Sequence, residues 1–119
     1  MSQKEIPKKE RGMPVSEAID LAELVQYGDG AVVSRTLVQA SVGTVTVFAF
    51  DKGQGLSTHS APFDALVQIL DGSAEITIGE KTVSVSTGES LLMPADIPHG
   101  LNAIERFKML LTMIREKKQ

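Results

Sequence analysis

The sequence predicts an all-β domain made of antiparallel strands. From Ala31 onwards, short segments rich in Val, Thr, Ile and Phe follow one another at intervals of about eight to twelve residues, and turn residues separate them. This spacing is typical of a sandwich or a barrel. The chain of 119 residues has the length of one domain, and no repeat of about twenty to fifty residues divides it. We therefore expect one β domain rather than a repeat array.

Seven segments have the composition of strands, because each is rich in β-branched, aromatic or other apolar residues and most are bounded by turn residues. The predicted strands are Ala31 to Gln39, Thr44 to Asp51, Ala65 to Leu70, Ala74 to Ile78, Lys81 to Ser86, Ser90 to Met93 and Phe107 to Arg115. Asp71-Gly72 predicts a short hairpin, since both residue types tolerate the positive φ of a type I′ turn. Gly79-Glu80 and Thr87-Gly88 predict two further reversals.

The N-terminal segment differs from the rest in composition. Residues 1–12 are mostly charged and offer almost nothing to bury, so we predict a disordered or arm-like tail there. Residues 13–119 form the single predicted domain. Within it, the apolar residues of Ser16 to Gln26 fit either one helical turn or a strand that leads into the sheet, and the sequence leaves both open.

The composition excludes several classes of function. Cysteine is absent, which excludes disulfides and thiolate chemistry. Only Lys52 and Lys81 are basic between residues 36 and 105, so no basic stripe for nucleic acid is predicted. No apolar run is long enough to cross a bilayer, and the charged N-terminus has no signal-peptide core. We expect a soluble cytoplasmic protein with neither a nucleic-acid nor a membrane partner.

Two segments, each with a lone histidine at a set distance after a glycine, carry the strongest functional signal. His59 and His99 are the only histidines of the chain, and they lie in Gly53 to Ala61 and Gly88 to His99. These segments resemble the two signature motifs of the cupin superfamily, G-x5-H-x-H-x3-E-x6-G and G-x5-P-x-G-x2-H-x3-N. The residues that match are Gly53, His59 and Gly72 in the first motif and Gly88, Pro94 and His99 in the second.

Four places of the two motifs hold other residues. Ala61 stands at the second histidine and Ala65 at the glutamate, so half of the usual cupin metal ligands, three histidines and one carboxylate, are missing. Asp96 stands at the second glycine, and Ala103 stands at the terminal asparagine, one place after an asparagine. We interpret Asp96 as a turn residue between two prolines rather than a functional carboxylate.

The resemblance implies a jelly-roll β-barrel, usually dimeric, with any site inside the barrel. Side chains of one parity share a face of a strand, so an inward His59 brings Ser57 and Ala61 with it. By the same rule Ala65 and Val67 face one side together, and Leu101 and Ala103 accompany His99. The predicted cavity is small and mainly apolar.

The last strand completes the predicted cavity. Burial of Lys108 is disfavoured, so Met109, Leu111 and Met113 are expected to face inward. The candidate ligand-binding residues are Ser57, His59, Ala61, Ala65, Val67, His99, Met109 and Leu111.

His59 and His99 are also the candidate metal ligands. Two imidazoles bind divalent metals more weakly than a set of three or four ligands does. A divalent transition metal (Zn, Ni, Mn or Fe) would need Asp64, Ser57, a partner chain or a solute to complete its coordination. Otherwise the two rings are hydrogen-bonding groups of a ligand pocket or satisfied core histidines, and no cofactor is assigned.

Three functions compete at this point. The leading hypothesis is a binding barrel for a small molecule, with an apolar cavity and two polar histidines and with no catalytic residue assigned. The alternative is a metal-dependent oxidoreductase or isomerase that uses His59 and His99 with outside ligands. A structural or partner-binding module is the third, and it predicts a closed, empty interior.

All three hypotheses share the expectation of a homodimer. A small barrel leaves edge strands and an apolar sheet face that need covering. Met13 to Gln26 is the segment expected to reach the partner.

Overall fold

The fold is built almost entirely from short strands. The computed structural model describes residues 10–116, with side chains from Arg11 onwards. The elements are, in chain order, β1 (Glu10–Arg11), a 3₁₀ turn (Leu21–Leu24), β2 (Val32–Ala40), β3 (Gly43–Phe50), β4 (Gly55–His59), β5 (Asp64–Asp71), β6 (Ser73–Ile78), β7 (Lys81–Ser86), β8 (Ser90–Met93), β9 (His99–Asn102) and β10 (Phe107–Ile114). Residues 10–116 contain no α-helix. The predicted all-β class is confirmed.

The strands form two antiparallel sheets that face each other. The larger sheet has six strands in the order β1-β2-β3-β10-β5-β8, and the smaller has four in the order β4-β9-β6-β7. After β3 the chain passes from one sheet to the other at every connection except the one between β6 and β7. This alternation produces a jelly roll, as the resemblance implied.

The seven predicted strands are confirmed, and their ends agree with the observed ends within about one residue. The strands β1, β4 and β9 were not among them. β4 (GLSTH) and β9 (HGLN) are short, contain glycine and polar residues, and have no clear alternation of apolar and polar positions. Their pairing partners, not their own composition, make them strands.

The hairpin predicted at Asp71-Gly72 is wrong. β5 and β6 belong to different sheets, so the chain turns a corner there instead of folding back on itself. Gly72 has φ +83°, and a Cβ at this position would lie 2.5 Å from the carbonyl oxygen of Arg106. Its own carbonyl accepts a hydrogen bond of 2.9 Å from the N–H of Thr87. The glycine is therefore needed for a sharp corner under a neighbouring chain segment.

The two other predicted reversals are present. Gly79 and Glu80 connect β6 to β7, where Ile78 pairs with Lys81. Gly79 has φ +60° and Glu80 is not in the positive-φ region, a combination typical of a type II′ hairpin. Thr87 and Gly88 lead from β7 in the smaller sheet to β8 in the larger sheet.

The space between the sheets is filled by an inner core to which both sheets contribute. Its fully buried members include Phe50 and Phe107, whose rings stack with centroids 4.7 Å apart. Val67 and Ile76 belong to the same cluster and come from opposite sheets. Burial of such side chains is worth roughly 1.5–3 kcal/mol each, so this core supplies much of the force that holds the sheets together.

The outer face of the six-stranded sheet carries a second cluster, which the N-terminal segment covers. Leu21 and Leu24 of the 3₁₀ turn pack with Val25 on Val47 and Ala49. The Asp20 carboxylate caps the turn by accepting a hydrogen bond from the N–H of Ala22, and the ammonium of Lys108 donates to the carbonyl oxygen of Ala22 over 2.7 Å. The helical-turn alternative for Ser16 to Gln26 is therefore the one that the structure shows, and the segment packs on its own chain's sheet.

Residues 10–12 of the predicted N-terminal tail bond to β2. Glu10 and Arg11 pair with Gln39 and Val38 of β2, and the N–H of Gly12 donates to the carbonyl oxygen of Leu37 over 2.7 Å. The predicted tail of residues 1–12 thus ends in a strand, because the edge of β2 offers unpaired backbone groups to it. Residues 1–9 of that prediction lie outside the described residues.

No helix in residues 10–116 has the length and apolar character required to span a membrane.

Candidate functional site

A small cavity lies between the two sheets, and each sheet supplies one wall. The imidazole wall comes from β4 and β9 of the smaller sheet, and the methionine wall comes from β5, β8 and β10 of the larger sheet. The residues of the imidazole wall are Leu56, His59, His99, Gly100 and Leu101, and those of the methionine wall are Ala65, Met93, Met109, Leu111 and Met113. The volume of the cavity is about 50 Å³. The predicted small, mainly apolar cavity is present.

The two histidines are neighbours across a pair of strands. His59 of β4 pairs with His99 of β9 in register, and the ring centroids lie 4.6 Å apart with an interplanar angle of 63°. His99 is only 8% exposed, whereas His59 is exposed. The cavity is therefore closed around His99 and open to solvent beside His59.

Backbone carbonyls fix the tautomer of both rings. Nδ1 of His59 lies 2.9 Å from the carbonyl oxygen of Ser57, and Nδ1 of His99 lies 3.1 Å from that of Ile97. A carbonyl oxygen can only accept, so each Nδ1 carries the hydrogen when the ring is neutral. Each Nε2 then has a free lone pair for a hydrogen-bond donor or a metal ion.

A β-bulge explains why Ser57 is not in the cavity. The pairing of β4 with β9 shifts between Leu56 and His59, so these two residues, three positions apart, both line the cavity. Without the bulge, the alternation of side chains along the strand would put Ser57 on the same face as His59. The extra residue of the bulge reverses that parity, and the Ser57 side chain is exposed. Its contribution to the site is the carbonyl oxygen that holds the His59 ring.

Ala61, at the place of the second cupin histidine, also lies outside the cavity. It follows the end of β4, and its carbonyl oxygen accepts a hydrogen bond of 2.8 Å from the N–H of Asp96. Asp96 has φ +67°, a conformation that favours glycine, asparagine or aspartate, which accounts for the glycine of the motif at this place. Asp96 is thus a turn residue, as interpreted from its flanking prolines.

The remaining predicted cavity residues lie inside the barrel. Ala65, Met109 and Leu111 line the cavity, and so does Met113. Val67 is fully buried in the inner core but does not line the cavity, because it lies one inward position further along β5 than Ala65. Ala103 belongs to the inner core in the same way.

Three lining residues were missed. Met93 could have been found from its place in a predicted strand, since the outward and inward positions alternate along β8. Leu56 could not be placed without knowledge of the bulge. Gly100 has no side chain to signal its position, and a Cβ there would come within 3.1 Å of the carbonyl oxygen of Leu56.

The donor set does not fit the metal ions that a standard cupin site holds. In residues 10–116, no group of three or more His, Cys, Asp or Glu side chains could hold a metal ion. Asp64, considered as an outside ligand, accepts a hydrogen bond of 2.9 Å from the N–H of Ala95 and lines a different, open cleft with Asp96 and Arg115. Two nitrogens and no carboxylate leave a divalent transition-metal ion short of ligands.

Comparison with known proteins decides the family. A sequence profile described as "Cupin domain" matches residues 46–114, which is more than half of the chain. The chain belongs to the cupin family. The matched region includes both histidine strands and all three strands of the methionine wall.

Several solved structures are similar to this cupin. A conserved protein of unknown function from Streptococcus pyogenes is 42% identical, with a TM-score of 0.87, and the match covers 91% of this chain and 95% of that one. A cupin superfamily protein from Desulfitobacterium hafniense is 27% identical, with a TM-score of 0.84, over 89% and 97% of the two chains. A cupin 2 conserved barrel domain protein from Leptotrichia buccalis is 42% identical, with a TM-score of 0.79, over 82% of this chain and 47% of that chain. No curated protein matches the sequence.

Proposed function

We propose that this cupin binds a small molecule in the cavity between its two sheets, with the two imidazoles as the polar contacts. One observation carries the proposal. His59 and His99 converge, with ring centroids 4.6 Å apart, on a cavity whose other lining side chains are apolar. A mainly apolar pocket with a few converging polar groups is the usual form of a small-molecule site.

The tautomer of the rings limits the chemistry of the ligand. Both Nδ1 atoms are engaged with carbonyl oxygens, so both neutral rings offer Nε2 as an acceptor. A suitable ligand has a donor at its polar end, such as an alcohol, phenol or amide. A carboxylate offers only acceptors and would suit the site only with a protonated ring.

The volume limits the size of the ligand. An apolar cavity of about 150 Å³ accommodates benzene, whereas the present cavity offers about 50 Å³. The enclosed part of the ligand therefore has only a few heavy atoms, unless the flexible methionines rearrange. A longer ligand extends past the exposed His59 into solvent.

A fragment screen tests this proposal. Thermal shift and calorimetry of the metal-free protein would use short alcohols, phenols and amides, with small carboxylates, sugars and aromatic metabolites for comparison. His59→Ala and His99→Ala should each weaken binding about tenfold, the equivalent of about 1.4 kcal/mol. Ser57→Ala is the matched control, because the backbone carbonyl that holds His59 is retained, and it should bind normally.

Either of two results would contradict the binding proposal. The first is the absence of binding across the whole panel, and the second is binding that neither histidine variant weakens.

Metal analysis separates this proposal from the metal-dependent oxidoreductase or isomerase. Protein purified without a histidine tag should carry only traces of Zn, Ni, Mn or Fe, since two nitrogens hold such ions weakly. A stoichiometric content of one of these metals that His59→Ala abolishes would favour the enzyme instead.

We also propose that the partner is a second copy of the chain. The N-terminal segment covers only part of the outer face of the larger sheet, and Leu66, Leu92 and Ile114 of its β5, β8 and β10 side are exposed, Leu92 by 58%. Leu66 and Leu92 are directly opposite each other, and β8 is an edge strand of this sheet. Apolar side chains beside an open edge favour association.

Light scattering tests the dimer. The wild-type protein should be dimeric at micromolar concentration, and Leu92→Lys should make it monomeric. Ile104→Lys is the matched control, because Ile104 is similarly exposed, by 55%, but lies in the connection between β9 and β10. A monomeric wild-type protein would contradict the proposal.

A further inference from the structure

Two methionines flank the place where the cupin motif has its carboxylate. Ala65 of β5 stands at that place, and in the sheet register it is directly opposite Met113 of β10 and Met93 of β8. All three residues line the cavity. Directly opposite residues on neighbouring strands have Cβ atoms about 4.5–5.5 Å apart, so the side chains of both methionines begin beside position 65. The missing oxygen ligand is thus flanked by two sulfur donors.

The imidazole wall, on the other side of the cavity, supplies two nitrogen donors whose rings are held by the backbone. His59 and His99 line the same cavity, and both have Nδ1 bonded to a backbone carbonyl oxygen. Metal-binding histidines almost always make such a bond with their second nitrogen, which fixes the ring and raises the basicity of the other nitrogen. Two nitrogens and at least two sulfurs therefore surround one small space.

We propose that this cavity binds copper(I), with Nε2 of His59 and His99 and the thioethers of Met93 and Met113 as its ligands. Thioether sulfur is a soft ligand that selects Cu(I), and imidazole nitrogen also suits copper. The divalent ions of standard cupin sites also use the carboxylate that Ala65 replaces. The loss of that carboxylate and the methionine pair together make the site softer.

Charge and volume favour the same ion. The cost of moving an ion into a poorly polar interior rises with the square of its charge, so a divalent ion costs about four times as much as a monovalent ion of equal size. All four proposed ligands are neutral, and His99 and Met93 are buried. A space of about 50 Å³ is large enough for a metal ion. Met109, fully buried on the same wall, lines the cavity as a further thioether.

The copper proposal goes beyond the proposed function and does not rest on it. Small-molecule binding needs the two imidazoles as hydrogen-bond acceptors, whereas Cu(I) binding also needs the methionines. A variant that loses the sulfur atoms but keeps the rings therefore separates the two.

Competition with a chromogenic Cu(I) chelator under anaerobic, reducing conditions tests the proposal. The wild-type protein should take one Cu(I) per chain from the chelator. Met93→Leu/Met113→Leu, which nearly conserves the side-chain volume, should weaken this binding at least tenfold, and His99→Ala should do the same. X-ray absorption of the loaded wild-type protein should show both copper–sulfur and copper–nitrogen scattering.

Met13→Leu is the matched control, because Met13 packs in the outer cluster and not in the cavity, and it should bind Cu(I) like the wild-type protein. Circular dichroism and thermal unfolding would establish that each variant is folded. The proposal is overturned if the wild-type protein takes no Cu(I), if the folded double methionine variant binds it equally well, or if no sulfur scattering is seen. Loss of Cu(I) by the double variant together with retained fragment binding would support both proposals.

Discussion

The imidazole wall and the methionine wall of the cavity differ in their exposure to solvent and in the side chains that they contribute. The imidazole wall consists of two short strands, one with a bulge, and its His59 reaches solvent. The methionine wall consists of β5 and β10, with eight residues each, and the short β8, and its Met109 is 0% exposed. The first wall supplies directed polar groups, and the second supplies apolar volume and soft sulfur. The two walls therefore differ in burial and in the ligand atoms that they offer, so substitutions in them should have different consequences.

The largest effect is expected where a charge is placed in the methionine wall. Ala65→Glu restores the carboxylate of the motif at a position that is 2% exposed. An unpaired buried charge costs about 3–5 kcal/mol, which urea unfolding would measure. Added Zn²⁺ should recover part of this loss, because the new carboxylate makes a third ligand with the two imidazoles.

Ala65→Gln is the control for that experiment. It adds a side chain of similar size without the charge, so it should be destabilised without recovery by Zn²⁺. Equal recovery of both variants would show that position 65 does not act together with the histidines.

The second largest loss of stability is expected where apolar side-chain volume is removed from the methionine wall. Met109→Ala removes a fully buried side chain from the inner core and should cost about 3 kcal/mol. The comparison variant, Met13→Ala in the partly buried outer cluster, should cost less than half as much. Equal losses in urea unfolding would mean that the two clusters stabilise the fold alike.

A smaller effect should separate the two histidines within the imidazole wall. His99→Ala should cost about 1–2 kcal/mol, because His99 is buried and its loss leaves the carbonyl of Ile97 without this partner. His59→Ala should change stability by only about 0.5 kcal/mol, as is usual for an exposed side chain. Both variants should nevertheless bind the ligand more weakly, as predicted above. A large stability loss in His59→Ala would contradict its position at the open mouth.

Tyr27 packs in the outer cluster of the larger sheet, outside both cavity walls, so its substitution should affect stability and not binding. The hydroxyl of Tyr27 donates a hydrogen bond of 2.6 Å to the Asp71 carboxylate. Burial and this hydrogen bond raise the pKa of Tyr27 above its ordinary value of 10. A phenol whose pKa is raised by folding stabilises the protein fully below pH 10, and this contribution is lost as the pH rises further.

Tyr27→Phe should therefore be less stable than the wild-type protein at pH 7, by about 1 kcal/mol or less. The difference should shrink in alkaline solution, as measured by urea unfolding at several pH values. A difference that stays constant up to high pH would show that the hydrogen bond to Asp71 does not control the titration of Tyr27. Ligand binding at pH 7 should be unaffected, because Tyr27 is remote from the cavity lining.

Much of the fold could be predicted from local patterns. Val- and Thr-rich runs gave the long strands, and the cost of burying Lys108 correctly put Met109, Leu111 and Met113 inside. The corner at Gly72 was misread, because the Asp-Gly pair permits a type I′ turn but does not require it: Gly72 has positive φ, Asp71 does not, and the next strand joins the other sheet. Such a choice depends on long-range pairing, which no local pattern contains.

The two histidines of the site were predicted correctly from the sequence, but some of the other residues that line the cavity were not. The spacing of His59 and His99 from their glycines predicted one shared cavity, and the two rings do meet there. Ser57 was misplaced because one extra residue in β4 reverses the alternation, and Leu56 was missed for the same reason. The soft character of the site emerged only from the register that puts Met93 and Met113 beside Ala65.

The central claim is that the two imidazoles act together on one occupant of the cavity. Nitrogen-15 NMR of the histidine side chains tests it most directly. In its neutral form each ring should carry its hydrogen on Nδ1, and both Nε2 resonances should shift together when Cu(I) or a binding fragment is added. The account is contradicted if either neutral ring carries its hydrogen on Nε2, or if an occupant shifts one ring and leaves the other unchanged.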